Sequence, residues 1–163
     1  MLRRVIRGQG RKNQKGKPMK FLRTATIAAA LLGVSLGTAL AADPMGTWHT
    51  EEGKATVRIA ACGPALCGTI ISLKDPNDET GKPKTDKNNA DAGLRSRPMV
   101  GVLVVLGMKP SGTANKWSGQ VYNAEDGKTY SGGLTLQDAN TIKIEGCIMG
   151  GLICKAATWT RAS

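Results

Sequence analysis

The chain has a single histidine, His49, only a few serines, and no acidic residue anywhere in its first 41 positions. A lone imidazole followed by Glu51 and Glu52 is at most half of a metal site or an isolated general base, and the commoner place for it is an exposed strand end. Beyond residue 42 no GxSxG elbow occurs, and neither GxGxxG nor GxxxxGK[ST] opens a helix, so the motif-bearing hydrolases and nucleotide binders are excluded for the folded part of the chain. The CxxC spacing is missing too, which removes a thioredoxin-like role and the short zinc knuckle. Glu125 and Asp126 are adjacent carboxylates, but they sit in a turn where solvated charge is expected. No enzyme activity, catalytic residue, metal or cofactor is predicted.

The charge that is present is unevenly placed. Nine of the 23 Lys and Arg residues fall within residues 1–41, leaving 14 against 12 Asp and Glu in the rest. The net +11 is therefore a property of the leader, and the body lacks the basic footprint that nucleic-acid binding requires. From Ala25 to Leu40 the chain is uncharged and apolar, preceded by Lys20 and Arg23 and followed by small alanines. That order predicts a cleaved signal peptide ending at Ala41 or Ala42. The stretch is too short and too rich in Ala and Gly for a stable membrane anchor. Residues 1–18 are basic and without apolar periodicity, and Met19 would start a signal of ordinary length. The expected organisation is an N-terminal extension and signal peptide over 1–41 and one folded domain over 42–163, in a periplasmic or secreted protein.

The four cysteines agree with export. Cys62 and Cys67 bracket Gly-Pro-Ala-Leu, and Cys147 and Cys154 bracket a stretch with two central glycines. Each pair falls where two antiparallel strands would leave a hairpin loop, so local geometry favours disulfides 62–67 and 147–154. Four thiolates on one zinc ion are the alternative, disfavoured by the spacing and by an oxidising compartment.

Beyond residue 42 the apolar residues recur at period two between short turns, and no helical period appears. Strands are expected at 47–50, 55–62, 67–73, 99–108, 116–123, 128–137, 141–148 and 153–161. Eight strands joined mainly by hairpins predict an all-β fold, a single antiparallel up-and-down barrel, which leaves no open edge. Tyr130, Leu134, Leu136, Ile142, Ile144 and Ile148 share one face, and Thr129, Ser131, Thr135, Lys143 and Glu145 share the other. The fourth strand is apolar on both faces, so its outer face needs a cover, either the preceding loop or a second subunit. Lys155 shares the parity of Trp159 and is expected at the rim or beside a bulge.

The long connection, residues 74–98, is rich in Lys, Asp, Asn, Gly and Pro and ends in Arg95-Ser96-Arg97-Pro98. A loop of this length in a small domain is a functional lid or a disordered segment. Its arginines either fork onto a ligand carboxylate or phosphate, or pair with Asp86 or Asp91 and hold the loop on the barrel.

Gly46-Thr47-Trp48, Cys62-Gly63-Pro64-Ala65-Leu66-Cys67-Gly68, the segment from Asp86 to Pro98, Trp117-Ser118-Gly119, Tyr122 with Asp126-Gly127-Lys128-Thr129-Tyr130, and Thr158-Trp159-Thr160-Arg161 together resemble the exported bacterial family called domain of unknown function 2147. The resemblance implies a lipocalin-like barrel and no established activity. Gly46-x-Trp48 with the late Arg161 also resembles the lipocalin closing device, in which an arginine stacks over a tryptophan at the barrel floor. Two functions follow as expectations. One is a periplasmic binding module for a small apolar or amphipathic ligand held in the barrel mouth, with Trp117, Tyr122, Tyr130, Arg95 and Arg97 as candidate contacts. The other is an envelope structural or protein-interaction module that binds an envelope protein or self-associates.

Overall fold

The computed structural model describes residues 43–162. The leader and cleavage site expected over residues 1–42 lie outside the described residues.

Eight strands form in sequence: β1 (Gly46–His49), β2 (Ala55–Cys62), β3 (Ala65–Leu73), β4 (Leu103–Pro110), β5 (Lys116–Asn123), β6 (Lys128–Asp138), β7 (Thr141–Ile148) and β8 (Ile153–Arg161). Each pairs antiparallel with the next, and β8 returns to β1, so the sheet closes into an up-and-down barrel. Period two is what permits this closure, because it gives each strand one dry face. Leu134, Leu136, Ile142 and Ile144 are buried on the face assigned from the alternation, and they meet Trp48, Val57, Ile59, Val105, Met108 and Trp159 in the core. At the waist, glycines let neighbouring side chains onto the axis. A Cβ at Gly68 would lie 2.9 Å from Val105, and one at Gly132 would run into Val121.

Because strand directions alternate, the connections sort to two ends. One end carries the β1–β2 turn, the 74–102 connection, the β5–β6 hairpin and the β7–β8 hairpin. The other carries the β2–β3, β4–β5 and β6–β7 turns. That second end is sealed by Arg161, whose guanidinium carbon lies 4.2 Å from the Trp48 ring centroid. The same guanidinium donates to the carbonyls of Ala139 (2.6 Å), Asp43 (2.9 Å) and Met45 (3.0 Å), while Trp48 Nε1 donates to Pro44 O at 2.9 Å. The resemblance anticipated this stacking, and the three carbonyls explain why the residue is an arginine: only a fork of N–H donors serves them all.

Both hairpin disulfides are present, Cys62–Cys67 and Cys147–Cys154. Lys155 sits opposite Gly146 in unbroken register and is exposed, so it takes the rim position and β8 has no bulge there.

The fourth strand differs from expectation. It begins at Leu103 rather than at residue 99, because residues 99–102 form a turn in which Val102 N donates to Met99 O and Gly101 has φ +98°. An apolar run alone does not distinguish a strand from a buried turn. Register shifts on both sides of β4 also break its period, and Val104 and Val105 are buried in succession. The outer face of β4 is only partly covered: Leu103 is 43% exposed, and the preceding loop lies over Tyr122 of the neighbouring β5.

Candidate functional site

Tyr122 places that loop. It alternates with Trp117, Gly119 and Val121, opposite in parity to the core-facing residues, and yet only 7% of it is exposed. Its hydroxyl donates to Asp86 Oδ1 at 2.5 Å. Asp86, with no exposed surface, accepts through Oδ2 from Asn89 Nδ2 (2.7 Å) and from Arg97 Nε (3.0 Å) and a terminal guanidinium nitrogen (2.7 Å). Asn89 Nδ2 also reaches the Tyr122 hydroxyl at 3.0 Å. Arg97, one of the two alternatives for the loop arginines, is thus the ion-pair partner of Asp86. Arg95 is spent within the loop as well, donating from Nε to Asn89 O at 2.8 Å.

The loop is ordered because its small polar side chains replace missing secondary structure. Asn89 Oδ1 accepts from Asp91 N, Asp91 Oδ1 from Gly93 N, and Asp78 Oδ1 from the backbone N–H groups of Thr80 and Lys82. These are the turns that Asp and Asn favour. The loop also docks on the β5–β6 hairpin: Asn88 Nδ2 donates to Glu125 O at 2.8 Å, and Ala90 N to Gly127 O at 3.3 Å. Gly127 has φ +70°, and the Asn88 carbonyl occupies the space where a Cβ would stand.

Burial pushes the Asp86 carboxyl upward in pKa, but the hydrogen bonds from Tyr122, Asn89 and Arg97, with the Arg97 charge, outweigh it and hold it below the ordinary value. Burial and then the bond to Asp86 raise the Tyr122 phenol. At neutral pH the pair is carboxylate and phenol, with every polar atom used. It is a latch, and no proton acceptor is left free for chemistry.

Between the latched loop, the outer face of the sheet and the β7–β8 hairpin lies an open cleft of about 820 Å³. Its strand residues include Tyr122, Thr129, Ser131 and Cys147 of outward parity, joined at the hairpin end by Tyr130 and Ile148 of the inward set. The core residues Trp48, Val57, Val105 and Ile144 do not border it, so it lies over the outer face and rim of the barrel and not in its interior. Leu94, Leu103, Leu106, Ile148 and Met149 give it apolar walls, and Asn89, Asp91, Arg97 and Lys128 give it polar ones. Of the residues singled out from the sequence, Tyr122, Tyr130 and Arg97 border this cleft. Trp117 borders a second, smaller cleft of about 370 Å³, with Ser118, Thr135 and Glu145. The Tyr130 hydroxyl is bonded to Asp126. The aromatic residues therefore divide between two places.

The family model described as "Uncharacterized protein conserved in bacteria (DUF2147)" matches residues 46–161. The chain belongs to this family. Among solved structures, protein HP1028 from the human pathogen Helicobacter pylori, described as belonging to the lipocalin family, is similar at a TM-score of 0.63 and 24% identity over 74% of this chain and 84% of that one. At that identity the likeness shows a lipocalin-like fold. No curated protein matches the chain. In this DUF2147 domain, sequence reasoning missed Asp86 and Asn89 as the centre of the site. Asp86 was legible only as a possible partner for an arginine, and its meeting with Tyr122, 36 residues later, depends on how the loop folds back.

Proposed function

We propose that this DUF2147 protein is an exported, non-enzymatic binding protein for a small amphipathic molecule, and that the cleft over the outer face and rim of the barrel is its site. The observation that carries the reading is the composition of that cleft. Leu94, Leu103, Ile148 and Met149 leave 39%, 43%, 46% and 68% of their surface uncovered around a concavity with Arg97 and Lys128 on its wall. Apolar surface gathered in a concave place with a few polar groups is the usual form of a small-molecule site. The two hairpin disulfides and the basic, then apolar, leader support an oxidising compartment. His49 has the exposed strand-end position expected of it, with Nδ1 3.3 Å from Thr56 Oγ1.

The test is native mass spectrometry of protein exported by a bacterial host and purified without detergent. The expected result is a retained species of a few hundred daltons that is lost in Leu103→Glu and kept in Trp117→Ala. A bare protein that also fails to shift its melting temperature with any member of a panel of fatty acids, bile acids and lysolipids would defeat the reading. A second reading, an envelope interaction module, is favoured by the β7–β8 hairpin, where Met149, Leu152 and Ile153 are 68%, 82% and 56% exposed.

A further inference from the structure

The charges around the cleft balance in number, but two of them are left without partners. Arg97, Lys128 and Asp91 stand on its wall, and Asp86 lies behind Arg97, so the two cations and two carboxylates sum to zero. Arg97 gives Nε and one terminal nitrogen to Asp86. Its other terminal nitrogen carries N–H groups that no described residue accepts. Asp91 and Lys128 lie near each other, because Ala90 N donates to Gly127 O at 3.3 Å and each charged residue is the next in the chain from that bond. Even so, among the described residues neither enters an ion pair. Asp91 uses only Oδ1, on Gly93 N at 2.8 Å. The nearby Asp126 does not border the cleft and is bonded to the Tyr130 hydroxyl and to Lys128 N.

We infer that the ligand of this cleft is a zwitterion on an apolar body, its acid group taken by Lys128 and the outer nitrogen of Arg97 and its ammonium group by Asp91. The inference rests on the cleft being the binding site and names the class of molecule that fits there. Charge matching selects that class. An amphiphile with only an acid group sets it beside the Asp91 carboxylate, and one with only an amine sets it beside Lys128 and Arg97, so each meets a like charge. A molecule with both groups gives every charge on the wall a partner, through hydrogen bonds of the stronger, charge-assisted kind. Position agrees with this. Lys128 precedes Thr129, Thr129 pairs with Tyr122, and the Arg97 guanidinium carbon lies 5.8 Å from the Tyr122 ring centroid, so the charges gather over β5 and β6. The apolar residues come from either side, Leu103 and Leu106 from β4 and Ile148 from β7, with Met149 beyond it. Charged groups held over the middle strands therefore leave the apolar body to run to a flank. Two sources share this chemistry, a single-chain lipid with amine and acid in its head and a short apolar peptide with free ends, and a cleft of about 820 Å³ takes either.

The experiment is titration calorimetry of the exported protein with two matched sets. One is dodecanoic acid, dodecylamine and 2-aminododecanoic acid, which share a chain; the other is trileucine with free ends, acetylated at its amine, or amidated at its acid. The expected result is that the doubly charged member of one set binds about tenfold more tightly than either singly charged member, and which set does so separates lipid from peptide. Asp91→Asn keeps an oxygen for Gly93 N but loses the charge, and should abolish the advantage over the acid. Lys128→Gln should abolish the advantage over the amine, and both variants should keep the melting temperature of the native protein. A dodecanoic acid that binds as tightly as 2-aminododecanoic acid, with Asp91→Asn changing neither, would overturn the inference and leave the cleft a site for simple anions. A species retained in native mass spectrometry that lacks either charge would also overturn it while sparing the proposed function. Zwitterion binding that survives Leu103→Glu unchanged would place the ligand elsewhere and overturn both. No binding by either set together with a bare native mass would defeat the proposed function, and the inference with it.

Discussion

Replacing Tyr122 by phenylalanine removes one oxygen atom and tests the whole attachment of the 74–98 loop. In the native protein that oxygen donates to a carboxylate with no exposed surface and accepts from Asn89. A hydrogen bond to a charged group contributes roughly 1.5–3 kcal/mol, and a buried acceptor left without its donor puts the loss in the upper half of that range. Tyr122→Phe is therefore expected to destabilise the domain by about 2–3 kcal/mol, a fall in Tm of roughly 10 °C for a domain of this size. Arg97→Met breaks the ion pair, but the Arg97 side chain is 36% exposed. Solvent screening then brings its loss to about 2 kcal/mol, below the range for fully buried pairs. Because both partners act on Asp86, the double variant should lose about 1 kcal/mol less than the sum of the single ones. The assay is urea unfolding with the disulfides intact, joined to hydrogen exchange. The Asp86 and Met99 amides, which bond to Arg97 O and Lys84 O, should exchange faster, while those of β6 and β7 should not change. The latch also sets a pH window. Asp86 titrates below its unfolded value of about 3.9, so its contribution is complete above that pH and is lost as pH falls through the folded pKa. Tyr122 is raised, so its contribution is complete below its unfolded value of about 10 and is lost at higher pH. Asp86→Asn should flatten the acid limb. A Tyr122→Phe variant within about 0.5 kcal/mol of wild type, the scale of an ordinary surface change, would refute this account of the loop.

Three further outcomes are expected. Gly127→Ala places a methyl group on the Asn88 carbonyl at a positive φ, and should cost about 2 kcal/mol or more and release the loop from the β5–β6 hairpin; limited proteolysis within residues 74–98 would report it. Arg161→Lys keeps the charge but cannot serve three carbonyls and an indole face, so a loss of about 2 kcal/mol with altered Trp fluorescence is expected, whereas an unchanged unfolding midpoint would remove the sealing role. Removing Cys147–Cys154 by a double serine substitution should cost about 2 kcal/mol on the chain-entropy account, and denaturation under non-reducing conditions measures it.

The barrel was legible because its information is local. Period-two alternation, the turn that holds Glu125 and Asp126, and the two bracketed hairpins each act within about ten residues, and the strands from β5 to β8 stand within a residue of where they were expected. Two strands were misread at their starts: β3 begins at Ala65 rather than at Cys67, and β4 at Leu103, where Met99 to Val102 is as apolar as the strand that follows. The parity of Tyr122 was legible as well, since it alternates with Trp117 and Val121, and an aromatic on the outward face already requires a cover. What covers it was not legible. The contacts of Asp86 with Tyr122 and of Asn88 with Glu125 join residues more than 30 positions apart, through a loop whose path is set by a handful of Asn and Asp turns rather than by any period. The cleft inherits that difficulty, because one of its walls is the loop.

The seam between β1 and β8 sets an order of events in time. Every other pairing in the barrel joins strands that are neighbours in the sequence, whereas Trp48 and Arg161 lie more than 110 residues apart. Six hairpin steps and the pairing across the 74–102 connection can form with modest loop-closure entropy, but the eighth pairing brings together the ends of the whole domain. Closure therefore belongs late on the folding pathway, after the sheet has curled far enough to bring its first and last strands together. Weakening the seam should then accelerate unfolding and leave the folding rate nearly untouched. In a stopped-flow chevron, Arg161→Lys would move one limb and spare the other, which makes the arginine at the barrel floor a determinant of how long the closed form lasts rather than of how quickly it appears.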